Sequence, residues 1–240
     1  MHVEQAPAKL TVSLQVTGVR ADGYHLIDAE MVTLDYADVL EIGEGDDLTV
    51  VGPHAAGVPT GDDNLVRRAL AVAGRRASVR LDKQVPAGAG LGGGSADAAA
   101  VLRWAGCFDP GMAAGLGADV AFCLVGGRAR VGGVGEVVGA LPVVDRTFTL
   151  LIPPVPVSTP LVYRAWDDLG GPAASGGSVN DLEWPALMVA PDLAEGRDRL
   201  AEASSRRPQL AGSGGTWVVE GEFPGEGRIV ARTLPPLQVG

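Results

Sequence analysis

The sequence predicts an α/β protein that is built in two parts. Segments in which apolar and polar residues alternate, as in strands, are mixed with Ala- and Leu-rich segments that have helical character. A glycine-rich loop joins one predicted strand to one predicted helix. Four prolines between Pro153 and Pro160 mark a junction, after which the predicted elements are mostly helical.

Strands and helices are predicted from this periodicity and from Gly, Pro and capping residues. The predicted strands cover residues 10–16, 27–34, 39–42, 48–51, 79–81, 128–131, 147–152 and 216–219. The predicted helices cover residues 65–73, 97–104, 161–169, 180–189 and 193–203. Residues 106–111 are interpreted as a turn, residues 119–124 as a short apolar segment, and residues 228–234 as strand or helix.

The composition excludes several classes of protein. The net charge of −10 and the pI of about 4.7 disfavour a nucleic-acid surface, which needs clustered Lys and Arg. Cys107 and Cys123 are the only cysteines, so no disulfide framework is expected. The first residues lack an apolar signal core, and no apolar run approaches the roughly 20 residues that cross a bilayer. We therefore expect a soluble cytoplasmic protein.

The most informative segment is the glycine-rich stretch of residues 86–100. Its lack of side chains lets backbone N–H groups approach an anion, and a helix is expected to follow, with Ser95 as N-cap and Gly106 at C′. A loop of this kind directs free N–H groups and the positive end of the helix dipole at a phosphate. The alternative is a structural role, in which Asp97 in the first helical turn satisfies the dipole.

Two common phosphate loops do not account for this segment. A P-loop needs Lys directly before the Ser, and Gly94 stands there. The dinucleotide pattern fits Gly88, Gly90 and Gly93, but it also requires a following strand that ends in an acidic ribose ligand. Because a turn is predicted after the helix, Asp109 is a poor candidate for that ligand.

Several segments together resemble the GHMP kinases. The glycine-rich stretch is similar to their Pro-x-x-x-Gly-Leu-Gly loop. The other matching segments are residues 6–10 (APAKL), 20–25 (RADGYH), 34–38 (LDYAD), 117–123 (GADVAFC), 180–183 (NDLE) and 211–216 (AGSGGT). In this order they resemble, over about residues 6–220, the family that phosphorylates 4-diphosphocytidyl-2-C-methyl-D-erythritol in non-mevalonate isoprenoid biosynthesis. The Asp-Gly-Tyr-His and Gly-Ala-Asp-Val elements distinguish this family from its relatives.

The resemblance implies the α+β two-domain GHMP kinase fold. Residues 1–145 would form a ribosomal-protein-S5-like half that holds ATP and contains an unusual left-handed βαβ crossing. Residues 146–240 would form an α+β half that closes the substrate cleft. The sequence departs from the family at Ala96, where a second Ser is usual, so one hydroxyl partner for phosphate or metal is missing. The segment before Asp119 is also short, so a helix is expected to be trimmed there.

The resemblance also implies that Asp119 is the catalytic base and that Lys9 is its partner. From the residues alone, Asp119 lies among apolar neighbours, where it is either an active carboxylate or the cap of the next segment. Lys9 lies on the strand face opposite Leu10 and Val12, and its alternative role is that of an ordinary solvated lysine. In the family, this lysine holds the aspartate ionised and offsets charge on the transferred group.

ATP would lie on the glycine loop, with Mg²⁺ carried by the nucleotide. The implied loop residues are Pro86, Ala87, Gly88, Ala89, Gly90, Leu91, Gly92, Gly93, Gly94, Ser95 and Ala96. Asn64 would lie near the base or ribose, although Asn also caps helices well. A second glycine loop, Gly212, Ser213 and Gly214, would approach the phosphates, or would be a simple turn before a strand. We find no His, Cys or carboxylate cluster with the spacing of a fixed metal site.

Tyr24 and His25 are the implied substrate-binding residues. Tyr24 would stack on the cytosine and His25 would bond its polar edge, whereas a Tyr-His pair alone is typical of a packed turn. Ser158 and Thr159 resemble a family element near the substrate.

Two other functions stay open at this point. Another GHMP-type sugar or mevalonate-like kinase is disfavoured by the Tyr24-His25 pair. A non-catalytic nucleotide-binding relative is disfavoured by the presence of both Lys9 and Asp119. The expected partners are ATP and a small cytidyl-diphosphate substrate, with no nucleic acid and no membrane; the sequence leaves the oligomeric state open.

Overall fold

The computed structural model describes residues 1–171 and 178–237; residues 172–177 and 238–240 of the predicted second part lie outside this description. The strands are β1 (His2–Val19), β2 (His25–Gly43), β3 (Leu48–Val51), β4 (Ser78–Asp82), β5 (Arg128–Gly133), β6 (Val137–Ala140), β7 (Thr147–Leu151), β8 (Gln209–Leu210), β9 (Trp217–Glu220) and β10 (Arg228–Arg232). The helices are α1 (Leu65–Val72), α2 (Gly93–Trp104), α3 (Pro110–Leu116), α4 (Val120–Val125), α5 (Thr159–Asp168), α6 (Glu183–Val189) and α7 (Leu193–Ser204).

The first sheet is organised by the long strand β2. Six strands belong to it, in the order β3-β4-β2-β5-β6, with β1 paired to β2. One end of β2 pairs with β4 and the other end pairs with β5, while β1 follows β2 along nearly its whole length. The prediction of separate strands at 27–34 and 39–42 is therefore wrong. The strand continues through the segment between them, where Asp38 lies opposite Ala6 and Ala37 opposite Pro7, followed by a register shift between Pro7 and Lys9.

The parallel pair of this sheet is β3 and β4, joined through α1. These elements form a βαβ unit, and the left-handed crossing that the resemblance implies stays a prediction. Helix α1 starts where predicted, because Asn64 caps it, and ends at Val72, one residue before the predicted end, with Gly74 following at φ of 62°.

Strand β1 is covered on both faces where Lys9 lies, so the prediction of a half-buried strand is wrong there. All residues from Ala6 to Thr11 are buried. Ala6 and Leu14 belong to the main core, which includes α2, whereas Leu10 belongs to a second core with Phe148 of β7. Register shifts between Pro7 and Lys9 and between Thr11 and Ser13 interrupt the simple alternation.

Helix α2 begins earlier than predicted. Gly92, in the left-handed conformation with φ of 66°, occupies the N-cap position, and the first helical bond runs from Ala96 N to Gly92 O at 2.8 Å. Ser95 is therefore not the N-cap, and Asp97 does not lie in the first turn. The end of the helix agrees with the prediction, because Gly106 follows with φ of 74°.

The segment before Asp119 contains a helix that the sequence reasoning missed. Asp109 caps α3 by accepting hydrogen bonds from Gly111 N at 2.7 Å and Met112 N at 3.2 Å, and Pro110 takes the first helical position. These Asp, Pro and Gly residues were interpreted as a turn. The shortening expected before Asp119 thus leaves a helix, α3, of seven residues.

The second sheet has four strands in the order β10-β7-β9-β8. Its strands all follow residue 146 and those of the first sheet all precede residue 141; the domain boundary at 145 stays a prediction. Isolated bridges from Leu34 to Thr233 and from Leu14 to Asn180 connect the two halves. Strand β6 was not predicted.

Over residues 1–171 and 178–237, the structure has no helix with both the length and the apolar character needed to span a bilayer.

A buried charged cluster fixes α2 to the first sheet. The Lys83 ammonium donates to Asp38 and, at 2.7 Å, to Asp97 Oδ2. Asp38 Oδ1 also accepts from Gln84 N at 2.6 Å and Val85 N at 2.7 Å. Burial raises the pKa of Asp97 to about 7; the Asp38 charge adds to the increase and Lys83 opposes it. Asp97 thus anchors the helix, and the alternative in which it satisfies the helix dipole from the first turn is wrong.

We predict that Asp97→Asn changes how stability depends on pH. The folded-state pKa of Asp97 lies above its ordinary value of 3.8, so folding favours the protonated carboxyl. The contribution of Asp97 to the free energy of unfolding is therefore fully present below about pH 4 and is lost as the pH rises through 7. Asn cannot titrate, so the free energy of unfolding of the variant should rise relative to wild type between about pH 4 and 7 and stay level above that range. Urea denaturation at each pH measures this difference. The exposed Asp62→Asn variant should keep the wild-type slope, and parallel curves for Asp97→Asn would contradict the prediction.

Candidate functional site

One cavity of about 900 Å³ brings together residues from both halves of the molecule. Its lining contains seven of the predicted site residues: Lys9, Tyr24, His25, Gly90, Asp119, Gly212 and Ser213. Gly90 is the one member of the predicted ATP loop in this lining, so that loop forms an edge of the cavity rather than its floor.

A lysine–carboxylate pair lies in this cavity. Lys9 Nζ is 3.2 Å from Asp119 Oδ2 and donates to Thr11 Oγ1 at 3.1 Å. The Lys9 side chain is 7% exposed and that of Asp119 is 29% exposed, so the carboxylate is the member open to a ligand. Asp119 precedes α4, but its side chain makes no capping hydrogen bond. The alternatives of a helix cap and of a solvated lysine are therefore not what the structure shows.

The glycine loop packs directly on the stem of Lys9. Lys9 N donates to Leu91 O at 2.9 Å, which ties the loop to β1. A Cβ at Gly92 would lie 2.7 Å from Lys9 Cγ, closer than carbon atoms approach. Together with its positive φ, this contact explains why residue 92 is glycine.

The two glycine loops touch each other through their backbones. A Cβ at Gly214 would lie 2.2 Å from Gly90 Cα, and one at Gly90 would lie 2.7 Å from Gly214 Cα. Thr216 fastens the contact, because its N and Oγ1 donate to Ala89 O at 3.2 and 2.6 Å. The second loop therefore packs on the first and lines the cavity, and its approach to phosphates stays a prediction.

Asn180 supports the second loop, a role that sequence reasoning did not assign. Its amide donates to Leu210 O and to Gly212 O, both at 2.8 Å, and its Oδ1 accepts from Leu182 N at 2.9 Å. Asn180 is 3% exposed, and the two bonds from its amide nitrogen fix the backbone on both sides of Ala211. The signal in the sequence was the Asn-Asp-Leu-Glu segment, which matched the family without indicating a function.

The start of α2 presents backbone donors. The N–H groups of Gly93, Gly94 and Ser95 precede the first helical bond, so the helix itself provides them with no partner. Ala96 differs, because its N–H bonds to Gly92 O and its side chain is 1% exposed in the core. Ala96 is thus packed in the core, and the effect of the missing hydroxyl on phosphate or metal binding stays a prediction.

His25 is enclosed by aromatic and acidic side chains of α5. Its ring lies 4.7 Å from the Tyr163 ring and 5.6 Å from the Trp166 ring, and its Nε2 is 2.8 Å from Asp167 Oδ1. Tyr24, in contrast, is 63% exposed at the cavity. Sequence reasoning missed the three α5 residues, although their i, i+3, i+4 spacing places them on one helix face.

Burial and, secondarily, the Asp119 charge raise the pKa of Tyr163 to about 12. Its hydroxyl therefore stays protonated at neutral pH and can act as a hydrogen-bond donor in the cavity. Burial likewise raises the pKa of the nearby Cys123 thiol to about 12, which makes this cysteine unreactive.

Asn64 is engaged as a helix cap. Its Oδ1 accepts from Val66 N at 2.8 Å and its Nδ2 donates to Pro59 O at 2.6 Å. Both polar atoms are used in this way, and Asn64 is not in the cavity lining. The capping alternative thus describes the side chain, and a contact to the nucleotide stays a prediction.

Further polar residues line the cavity. Thr159 Oγ1 is 3.0 Å from Ser213 Oγ, which joins the start of α5 to the second loop. Arg20 and Arg164 add two guanidinium groups. Within the described ranges there is no group of three His, Cys, Asp or Glu residues placed to hold a metal ion.

Comparison with known proteins gives consistent matches. Residues 64–127 match the N-terminal domain of the GHMP kinases. The 4-diphosphocytidyl-2-C-methyl-D-erythritol kinase of Paracoccus denitrificans is 41% identical over 231 residues, which cover 89% of this chain and 84% of that protein. The kinase of the same name from Dinoroseobacter shibae is 40% identical over 256 residues, which cover 95% and 88%.

The fold also matches solved structures. A crystal structure of 4-(cytidine 5'-diphospho)-2C-methyl-D-erythritol kinase superposes with a TM-score of 0.75 at 32% identity and covers 97% of this chain and 99% of that one. The Methanococcus jannaschii mevalonate kinase superposes with a TM-score of 0.63 at 11% identity, covering 97% and 98%, which shows a shared fold alone. These matches confirm the predicted fold class.

We predict that Gly214→Ala destabilises the protein by about 1–3 kcal/mol, the usual cost of overpacking. The added methyl group would have to displace the Gly90 backbone, because its position is 2.2 Å from Gly90 Cα. Gly115→Ala is the matched control, since Gly115 also lines the cavity but a Cβ there meets nothing within 4 Å. Urea denaturation measures both; equal stabilities would mean that the loops are not in contact.

Proposed function

Because the chain belongs to the 4-diphosphocytidyl-2-C-methyl-D-erythritol kinases, a family of the GHMP kinases, we propose that Asp119 and Lys9 carry out its phosphoryl transfer. The protein is an ATP-dependent phosphotransferase with an alcohol acceptor, and that acceptor is 4-diphosphocytidyl-2-C-methyl-D-erythritol in the non-mevalonate pathway. The observation that carries the assignment of residues is the 3.2 Å Lys9–Asp119 contact inside the cavity where the glycine loops meet.

Asp119 is the proposed base. The 2-hydroxyl of the substrate gives its proton to Asp119 as its oxygen forms a bond to the γ-phosphorus and the bond from that phosphorus to the bridging oxygen of ADP breaks. The partial exposure of Asp119 leaves it accessible to a bound alcohol. Positioning contributes as well, since the carboxylate is held by Lys9 on the rigid strand β1.

Lys9 has two proposed roles. An ammonium has three N–H donors, and in the described part of the chain Nζ directs two of them, one at Asp119 and one at Thr11. The remaining donor is proposed to reach an oxygen of the transferred phosphoryl group, where it offsets developing charge. Gly212 makes room for this approach, because a Cβ there would lie 3.9 Å from Nζ and 3.3 Å from Thr11 Oγ1.

The glycine loop is proposed to hold the triphosphate of ATP. Its fit to that group is supported by the unpartnered N–H groups at the start of α2, by the adjoining loop of Gly212 to Gly214, and by the lack of side chains between them. Mg²⁺ is proposed to be carried by the phosphates, and the Asp119 carboxylate and the Ser95 hydroxyl are side chains of this chain that could bind it. Bound there, the ion would neutralise charge on the β- and γ-phosphates.

The rest of the cavity is proposed to select the cytidyl diphosphate. Tyr24 offers an exposed ring for stacking and His25 a polar edge, while Arg20 and Arg164 offer charge to the diphosphate. The absence of a nucleic-acid partner stays a prediction from the net charge.

We predict that Asp119→Asn lowers kcat by roughly 10²–10⁴, the range for loss of a general base, and leaves the fold intact. A coupled ADP-release assay measures kcat. Asp192→Asn is the matched control, because Asp192 also precedes a helix without a side-chain capping bond but is exposed elsewhere. The control should keep wild-type turnover. Near-normal turnover of purified Asp119→Asn would remove Asp119 from this role.

We predict that Tyr24→Ala weakens binding of the cytidyl substrate by ~1–3 kcal/mol, because stacking on the base is lost. ATP binding should be unchanged, and Tyr24→Phe, which keeps the ring, should bind like wild type. Isothermal titration calorimetry with each ligand separates these effects. Equal losses for ATP and for the cytidyl substrate would argue against a base-binding role.

A further inference from the structure

Three side chains of α5 hold the His25 ring from one side. Tyr163, Trp166 and Asp167 stand at positions i, i+3 and i+4 of the helix, so they share a face. The Tyr163 ring is tilted by 33° to the His25 ring, and the Trp166 ring meets it edge-on at 83°. The side chain of His25 is only 11% exposed. In this arrangement the Nε2 atom of His25 lies 2.8 Å from Oδ1 of Asp167.

We propose that Asp167 is a positioning residue that sets the base specificity of the enzyme by fixing the tautomer of His25. The inference rests on the proposed function, in which His25 meets the base of the substrate. A carboxylate accepts hydrogen bonds and does not donate them, so the 2.8 Å contact requires the proton on Nε2. In the neutral imidazole, Nδ1 then carries a lone pair and acts as an acceptor.

This tautomer distinguishes cytosine from uracil. Cytosine carries an amino group at position 4, which donates to an acceptor such as Nδ1. Uracil carries a carbonyl oxygen at the same position, so its lone pairs would face the lone pair of Nδ1 with no hydrogen between them. Sites that leave a buried polar group without a partner reject a ligand strongly. The same ring with the proton on Nδ1 would favour the wrong base.

The sequence position of Asp167 is consistent with a dedicated contact. It is the residue of α5 whose carboxylate reaches His25, and its chain neighbour Asp168 is exposed at the end of the helix. Asp168 therefore provides a control that changes the same charge on the same helix without touching the ring.

The test compares Asp167→Asn with wild type on the cytidyl substrate and on its uridyl counterpart. An amide both donates and accepts, so either tautomer of His25 satisfies it. The ratio of kcat/KM for the cytidyl over the uridyl substrate should fall about 5- to 100-fold, the range for one unsatisfied hydrogen bond. The KM for the cytidyl substrate should rise, while kcat at saturation and the KM for ATP stay within twofold. Asp168→Asn should keep the wild-type ratio.

A second measurement reads the tautomer in the free protein. The ¹⁵N chemical shifts of the imidazole, with His25→Ala used for assignment, should place the proton on Nε2 in wild type and should show both tautomers in Asp167→Asn. A proton on Nδ1 in wild type overturns the proposal, and so does an unchanged substrate ratio in Asp167→Asn. If wild type fails to phosphorylate the cytidyl substrate at all, the proposed function is wrong. That outcome is distinguishable from failure of the tautomer proposal, because the spectrum of the free protein does not depend on turnover.

Discussion

The site depends on a contact between two backbones. Gly90 and Gly214 approach so closely that neither position has room for a Cβ, and Thr216 fixes the distance with two bonds to Ala89 O. Lys9 lies beneath the first loop and near the second, so its ammonium is positioned by both. Asn180 supports the second loop by donating hydrogen bonds to Leu210 O and Gly212 O. The position of the Lys9 ammonium therefore depends on the close packing of the two loops and not on charge alone.

The two lysine–carboxylate arrangements in the molecule serve different purposes. The Lys83 cluster is closed to solvent, and all three of its charged side chains are buried. Such a cluster adds little net stability because desolvation offsets attraction, but breaking it leaves an unpaired buried charge, which fixes α2 in one position. The Lys9–Asp119 pair is open on the carboxylate side, where a ligand can enter. The closed pair thus fixes the helix, whereas the open pair leaves a carboxylate accessible in the cavity.

Much of the architecture could be predicted from the sequence. The glycine loop, α1, the strand–loop–helix order and the second loop before β9 were all indicated by local patterns. The errors came where local signals were overruled. β2 continues through polar residues because β1 pairs with it, and β1 is buried on both faces because a second core covers Leu10. α3 was missed since its Asp-Pro-Gly start is equally typical of a turn.

The predicted site also combines residues that the sequence indicated with residues whose contacts only the structure shows. Lys9 and Asp119 are 110 positions apart in the chain, and the resemblance, not the spacing, brought them together before the structure showed the contact. The roles of Asn180, Tyr163 and Asp167 were out of reach, because each depends on a partner from a distant segment. For Asn64 the local capping signal was correct. Its Oδ1 accepts the capping hydrogen bond from Val66 N, and its Nδ2 donates to Pro59 O.

The contact between the loops also bears on how the protein folds. The bond from Thr216 to Ala89 closes a separation of 127 residues, so the entropy of ordering the intervening chain opposes it until both sheets exist. Contacts of such long range form slowly compared with local helices and hairpins. Each sheet can assemble from its own strands, but the cavity is complete in neither half, because residues of both halves line it. Catalytic competence is therefore a late property of the folding chain, and a molecule with both sheets formed but undocked would be compact and inactive.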